Sequence, residues 1–150
     1  MSALRFAEDW NEADLSAVHA VLVRSYWCEG IPRETLARAM RGSLNFLLHD
    51  AESGELAAYA RVVSDRATFA YLCDVFVIES RRGEGLGRRL MERVVAHPDL
   101  QGLRRFSLVT RDAHGLYAKF GFTPLAAPDR GMEIVRPGLY LQSTSERAGT

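Results

Sequence analysis

Asp74-Val75-Phe76-Val77-Ile78-Glu79-Ser80-Arg81-Arg82-Gly83-Glu84-Gly85-Leu86-Gly87-Arg88-Arg89-Leu90 reads as an apolar strand, a glycine-rich turn and the start of an amphipathic helix. Glycines at 83, 85 and 87 let the backbone turn sharply and bring bare N–H groups close to a bound group. They do so at a helix end, where the first N–H groups lack intrahelical acceptors. Such a turn is an anion site. Arg81, Arg82, Arg88 and Arg89 flank it, and arginine binds phosphate through paired, coplanar donors.

Spacing separates the nucleotide-type readings of this turn. A P-loop requires Gly-Lys followed by Ser or Thr, whereas Gly87 is followed by Arg88 and Arg89. A dinucleotide fingerprint requires G-x-G-x-x-G, and here the third glycine comes too soon. What remains is Arg82-x-x-Gly85-x-Gly87. Taken alone it is also compatible with an ordinary glycine loop flanked by solvated arginines.

The chain has 150 residues, suited to one domain over 1–150 that buries a core without staples. Lys plus Arg and Asp plus Glu both total 19, so the formal charge is zero, and neither a nucleic-acid nor a membrane-surface role is expected. Cys28 and Cys73 match no metal or CxxC spacing; the expectation is buried, reduced thiols in a cytoplasmic protein with no metal. No secretory signal or long apolar span is evident. Only the polar stretch from about Ser143 reads as a tail.

Working outward, Leu4–Phe6 suggests a short strand, and Glu12 to about Arg24 has helical apolar spacing at Leu15, Val18 and Leu22. Tyr26 and Trp27 then interrupt the period, before Pro32 opens a second helix running to Gly42. This aromatic loop reads equally as a substrate lid or a hydrophobic plug. Leu44–His49, Leu56–Val63 and Phe69–Ile78, separated by short polar turns, predict consecutive antiparallel strands. After the glycine turn, Leu86, Leu90 and Val94 mark a helix that stops near His97-Pro98. Strand Leu103–Val109 follows. Next come a short helix capped by Asp112 and closed by Gly121, a strand beginning at Phe122, and a last strand over Met132–Val135. This order predicts an α+β fold with a mixed sheet and helices on its faces.

A second motif lies in Ala113-His114-Gly115-Leu116-Tyr117-Ala118-Lys119-Phe120-Gly121-Phe122. Together, Arg82-x-x-Gly85-x-Gly87 and Ala-x-x-Leu-Tyr-x-Lys-x-Gly-Phe resemble the signatures of the GNAT N-acetyltransferase superfamily. The specific match covers about 74–90 and 113–122, and the element order fits nearly the whole chain. The resemblance implies a mostly antiparallel sheet with splayed fourth and fifth strands. It also implies acetyl-CoA as co-substrate and transfer of acetyl to a primary amine of a small molecule or peptide.

Carried over residue by residue, the resemblance implies that backbone N–H groups from Arg82 through Gly83, Gly85, Leu86 and Gly87 to Arg88 hold the CoA pyrophosphate. Phe76 and Val77 would give main-chain partners to pantetheine. An extended diamide can add to a strand edge as a peptide does, and the same strand can direct an N–H at the thioester oxygen. Tyr117 matches the family's general acid; its phenol is protonated at neutral pH, though a helix tyrosine packed under CoA with a hydrated hydroxyl would look the same. Thr110 stands where many relatives carry an Asn that helps hold CoA.

For the amine's proton, Asp74 is the best-placed candidate base, a carboxylate in an apolar strand on the face of Phe76. It could equally bind the substrate ammonium or satisfy nearby backbone, and ordered water could take the proton. Tyr26, Trp27, Glu29, Tyr59 and Arg61 are candidate acceptor-pocket residues. Neither cysteine has an evident activating partner, so direct attack in a ternary complex is favoured over an acyl-enzyme. A non-catalytic acyl-CoA sensor is the competing class, and the last strands admit a homodimer.

Overall fold

The computed structural model describes residues 3–142. Strands β1 (Leu4–Ala7), β2 (Leu44–Asp50), β3 (Leu56–Ser64), β4 (Phe69–Val77) and β5 (Arg105–Leu108) form one sheet in that order. The first four are antiparallel to their neighbours: short turns join β2 to β3 and β3 to β4, while two helices intervene between β1 and β2. β4 and β5 are parallel, because helix α3 (Leu86–Ala96) carries the chain back along the sheet between them.

Two apolar layers cover the sheet. On one face α3 and the short helix α4 (His114–Ala118) pack through Leu86, Leu90, Met91, Val94 and Tyr117 onto Phe46, Ala60, Val62 and Leu72. On the other, α1 (Glu12–Leu22) and α2 (Arg33–Arg41) bury Leu15, Val18, Leu22, Leu36 and Met40 against Leu47, Tyr59 and Phe76. Each such aliphatic side chain, fully buried, stabilises the fold by about 1.5–3 kcal/mol.

Helix α1 is fixed at its start by a reciprocal capping box. Asn11 Oδ1 accepts from the Asp14 N–H at 2.9 Å and Asp14 Oδ2 accepts from the Asn11 N–H at 3.0 Å. The remaining Asp14 oxygen accepts from His49 Nε2 at 2.6 Å, which ties α1 to β2.

The expected strands at Phe122 and at Met132–Val135 are not present. Both stretches run without a strand partner among the described residues. Pro124, Pro128 and Pro137 each remove a backbone donor, and a 3-10 turn at Pro128–Arg130 bends the chain between them. Asp112 does not cap α4. Thr110 Oγ1 instead accepts from the Ala113 N–H at 3.0 Å, while Gly121 follows the helix at φ 95° as expected. The chain then crosses to the α1–α2 loop, where Tyr140 and Leu141 lie against Gly30; a Cβ there would come within 2.9 Å of both. The stretch from about Ser143 expected as a tail lies outside the described residues.

Candidate active site

The site begins where β4 and β5 part. Their register ends at the pair Leu72 and Leu108, yet β4 continues to Val77, so its last residues have no neighbour on the β5 side. The Ile78 N–H donates to Ala57 O at 2.9 Å. Antiparallel alternation then makes Phe76 and Tyr59 a mutually bonded pair and turns the N–H and C=O of Val77 and Val75 to the open edge. Of the two residues expected to offer main-chain contacts, Val77 faces the opening and Phe76 faces β3. Val75, which sequence reasoning did not single out, takes the second open position.

A bulge precedes it. Arg61 lies opposite Cys73 and Tyr59 opposite Phe76, so Asp74 and Val75 together face Ala60. Asp74 takes φ 54°, in the left-handed region. Its Oδ1 accepts from Trp27 Nε1 at 2.9 Å and its Oδ2 from Arg61 Nε at 2.8 Å. Arg61 Nη1 donates in turn to Ser43 Oγ at 3.0 Å. The Asp74 and Arg61 side chains are only 8% and 17% exposed, so this pair sits largely out of solvent. Asp74 does share the face of Phe76, as expected, but both its oxygens are engaged.

At the far end of β4 the chain makes a single 3-10 turn at Glu79–Arg81 and enters the glycine turn. Gly83 and Gly85 stand at φ 86° and 75°, which side chains other than glycine adopt only with strain. From Gly83 through Arg88 no backbone N–H finds an acceptor among the described residues. A Cβ at Gly83 or Gly85 would meet no protein atom within 4 Å, so the surroundings of these two glycines are open. The turn is braced from outside. Arg81 grips Glu84 through Nε at 3.0 Å and Nη2 at 3.1 Å, and reaches Asp50 with Nη1 at 3.2 Å. Arg81 is thus a structural brace, Arg88 pairs with Glu92 at 3.3 Å, and Arg82 is exposed. Unclaimed N–H groups at a helix N-terminus, with cationic side chains around them, fit a pyrophosphate.

Tyr117, on α4, is 8% exposed. Burial pushes its phenol above the usual tyrosine range, and the nearby Tyr26 adds to the shift. Its ring meets Phe122 edge-on at 6.1 Å. A cavity of about 920 Å³ borders Tyr117 and runs along residues 105–110; no β4 residue lines it.

The aromatic loop between α1 and α2 is not a plug. Tyr26 and Trp27 are 59% and 45% exposed, and their rings meet edge-on at 5.0 Å. Arg111, from the β5–α4 loop, lies over the Tyr26 ring at 4.0 Å. Glu29 is exposed on the same loop. Tyr59 departs from expectation: it is fully buried, donates its hydroxyl to Asn45 Oδ1 and packs under Phe76 at 5.7 Å. It supports the site from beneath and does not line it. Arg61 is committed to Asp74, which leaves Tyr26, Trp27 and Glu29 as the exposed residues among those expected to line an acceptor pocket.

Both thiols are half-buried, and burial raises both; Cys73 is pushed up to about 12. Among the described residues no group of three or more His, Cys, Asp or Glu side chains is placed to hold a metal.

A parallel pair of strands that opens onto an N–H cradle defines an acyl-CoA transferase architecture. The sequence profile of the Acetyltransferase (GNAT) family matches residues 5–122, and the chain belongs to that family. It is 34% identical to serotonin N-acetyltransferase 2, chloroplastic, of Oryza sativa subsp. japonica, over 88% of this chain and 68% of that protein. Among solved structures, a GNAT-family member from Xanthomonas campestris pv. campestris is 48% identical, covers 95% of this chain and 99% of its own, and superposes with a TM-score of 0.88. A protein from Clostridium acetobutylicum solved with acetyl-CoA, 18% identical over 89% of this chain and 96% of its own, shares the fold with a TM-score of 0.65.

Proposed function

We propose that this acetyltransferase moves acetyl from acetyl-CoA directly to a primary amine within a ternary complex. The observation that carries the reading is the continuity of the open β4 edge with the unclaimed N–H groups of Gly83 to Arg88. Acetyl-CoA supplies an acyl thioester, open to attack by an amine and carrying a thiolate leaving group. The turn from Arg82 to Arg88 holds the pyrophosphate, and Val77 offers its N–H and C=O to the pantetheine amides. Val75 directs its N–H at the thioester oxygen as negative charge develops there.

Tyr117, kept protonated by its burial, returns a proton to the departing thiolate. The raised thiols of Cys28 and Cys73 support direct attack, since a protonated thiol is a poor nucleophile. The amine sheds its proton to water at the mouth of the site. The acceptor lies against Tyr26 and Trp27, with Glu29 at hand for a cationic group. That aromatic wall, and the 34% identity to a serotonin N-acetyltransferase, favour a small aromatic amine as acceptor.

The test is calorimetric titration with acetyl-CoA, followed by acetyl transfer to a panel of an arylethylamine, an amino sugar phosphate, a polyamine and a peptide amino terminus. Micromolar binding with transfer fastest to the arylethylamine is the expected result. Binding without transfer to any amine would point to an acyl-CoA sensor, and no binding would end the acetyl-CoA reading.

A further inference from the structure

We propose that Asp74 is a positioning residue: clamped between Arg61 and Trp27, it holds the left-handed bulge in β4 that aims the Val75 N–H into the opening where the acyl group reacts. The inference rests on the acetyl-transfer reading above and assigns to this carboxylate a role other than proton abstraction.

The bulge is an unfavourable conformation that something must hold. A non-glycine residue at φ 54° is rare; aspartate tolerates it better than most, but such strain persists only where the surroundings over-determine it. Here they do. Trp27 reaches Asp74 from the α1–α2 loop at 2.9 Å and Arg61 from β3 at 2.8 Å. Arg61 is itself held through Ser43, whose hydroxyl donates to Ala39 O at 2.7 Å in α2. Two separate elements therefore converge on one carboxylate, and one of the two donors is itself steadied from α2.

The bulge has a direct consequence for the open edge. Strand side chains and N–H groups alternate with period two, so the inserted residue sets which of the following N–H groups face β3 and which face the opening. With Asp74 inserted, Phe76 packs on Tyr59 and pairs with it while Val75 points out. A base must present a lone pair to the amine directly or through one water. Both Asp74 oxygens are instead occupied by donors within the fold, and the side chain is 8% exposed. Because one donor to Asp74 comes from the exposed aromatic loop, the clamp also couples the acceptor wall to the N–H that serves the thioester oxygen.

The experiment is a kinetic series at saturating acetyl-CoA across pH, with Asp74→Asn, Arg61→Gln, their double variant, Arg61→Lys and Trp27→Phe. A misplacement of about 1 Å in a reacting site costs about 10²-fold, so kcat is expected to fall by about 10- to 100-fold in Asp74→Asn and in Arg61→Gln. The KM for acetyl-CoA should stay within about 3-fold, the double variant should be no worse than the poorer single one, and Arg61→Lys should recover part of the loss. The pH-rate midpoints should not move. Hydrogen exchange at the Phe76 amide should rise by about 10-fold or more in both single variants, with the Leu47 amide in the sheet centre unchanged.

If Asp74→Asn folds poorly, the pair Asp74→Gly and Asp74→Ala decides: glycine adopts the left-handed backbone without strain and should lose clearly less kcat than alanine, whereas equal losses in the two would tie the effect to the carboxylate itself and overturn the proposal. A loss of about 10³-fold or more in Asp74→Asn with a vanished pH limb, beside a near wild-type Arg61→Gln, would make Asp74 a base and overturn the proposal. Wild-type rates in both would overturn it as well. A wild type that binds acetyl-CoA yet transfers to no amine overturns the transfer reading, and with it the catalytic consequence. The Phe76 exchange rate still decides separately whether the clamp holds the bulge.

Discussion

The guanidinium of Arg111 lies 4.0 Å over the ring of Tyr26, and so joins the loop after β5 to the loop after α1 across the mouth of the site. Tyr26 in turn is close enough to Tyr117 to raise its pKa and lies edge-on to Trp27, whose N–H holds Asp74. Removing the cation frees the outer wall without touching the reacting groups. An exposed cation–π contact contributes about 0.5–1 kcal/mol, so Arg111→Ala should raise the KM for the amine by about 2- to 5-fold. kcat should change little. Steady-state kinetics with the best acceptor of the panel check this, and an unchanged KM would mean that the contact does not shape the acceptor wall.

Tyr117 should set the alkaline limit of the reaction. Burial, then Tyr26, raise its pKa, so the proton it donates is retained past the usual tyrosine value of about 10. The kcat profile should therefore fall only above about pH 10, and Tyr117→Phe should lose that limb together with about 10²–10⁴-fold in kcat. Acetyl-CoA affinity, measured calorimetrically, should persist in the variant. The same shift has a stability consequence. The unfolded chain gives up this proton before the folded one does, so the contribution stands in full below the unfolded value and is lost as pH rises through the folded one. Thermal melts of wild type and Tyr117→Phe above about pH 10 should show the wild type losing more stability.

The three glycines of the turn are not equivalent. Gly85 caps α3 at φ 75°, where any side chain costs about 1–2 kcal/mol of backbone strain. Gly87 has no positive φ, and a Cβ there would meet Leu116 Cδ2 at an ordinary 3.5 Å. Gly87→Ala should accordingly keep acetyl-CoA affinity within about 3-fold and gain up to about 1 kcal/mol of stability. Gly85→Ala should lose both affinity and stability, and Gly85→Glu should abolish binding. Titrations of the three variants read the difference directly; equal losses at 85 and 87 would show that the glycines serve ligand clearance and not backbone conformation.

The sequence was legible where local chemistry decides structure. Glycine spacing located the turn ahead of α3, apolar patterning located α1, α3 and β2 to β4, Pro32 marked the start of α2, and the second motif located the short helix that carries Tyr117. What escaped notice depends on contacts remote in sequence. The inserted residue at Asp74 is invisible in a run that reads as a continuous strand. The only local hint is an aspartate, a residue tolerant of positive φ, among β-branched and aromatic neighbours. Which N–H groups face the opening follows from that insertion, and so Val75 was passed over. Tyr59 counts among the expected pocket residues only as one of a mixed aromatic and charged set, and strand alternation puts it on the face of Arg61. Whether a tyrosine on that face reaches solvent is fixed by α1 and α2, which cover it completely. The strands expected at Phe122 and Met132 failed because apolar β-formers alone do not make a strand: three prolines and a 3-10 turn deny them a ladder.

Cys73 precedes the bulge and is near enough to the site to be mistaken for a nucleophile, which makes its chemistry a clean test of direct transfer. Burial is the largest influence on its thiol and raises it from 9.0 to about 12; Arg61 opposes this and Asp74 adds to it. So raised, the thiol stays almost wholly protonated at pH 8. Iodoacetamide at pH 8 should therefore leave Cys73 unmodified over times that fully alkylate a free thiol, as followed by intact-mass spectrometry. Incubation with labelled acetyl-CoA in the absence of amine should deposit no thioester on the chain, and Cys73→Ala should retain transfer. A stoichiometric acetyl adduct on Cys73 that disappears when amine is added would instead establish an acyl-enzyme. The thiol would then need a thiolate that its buried position opposes.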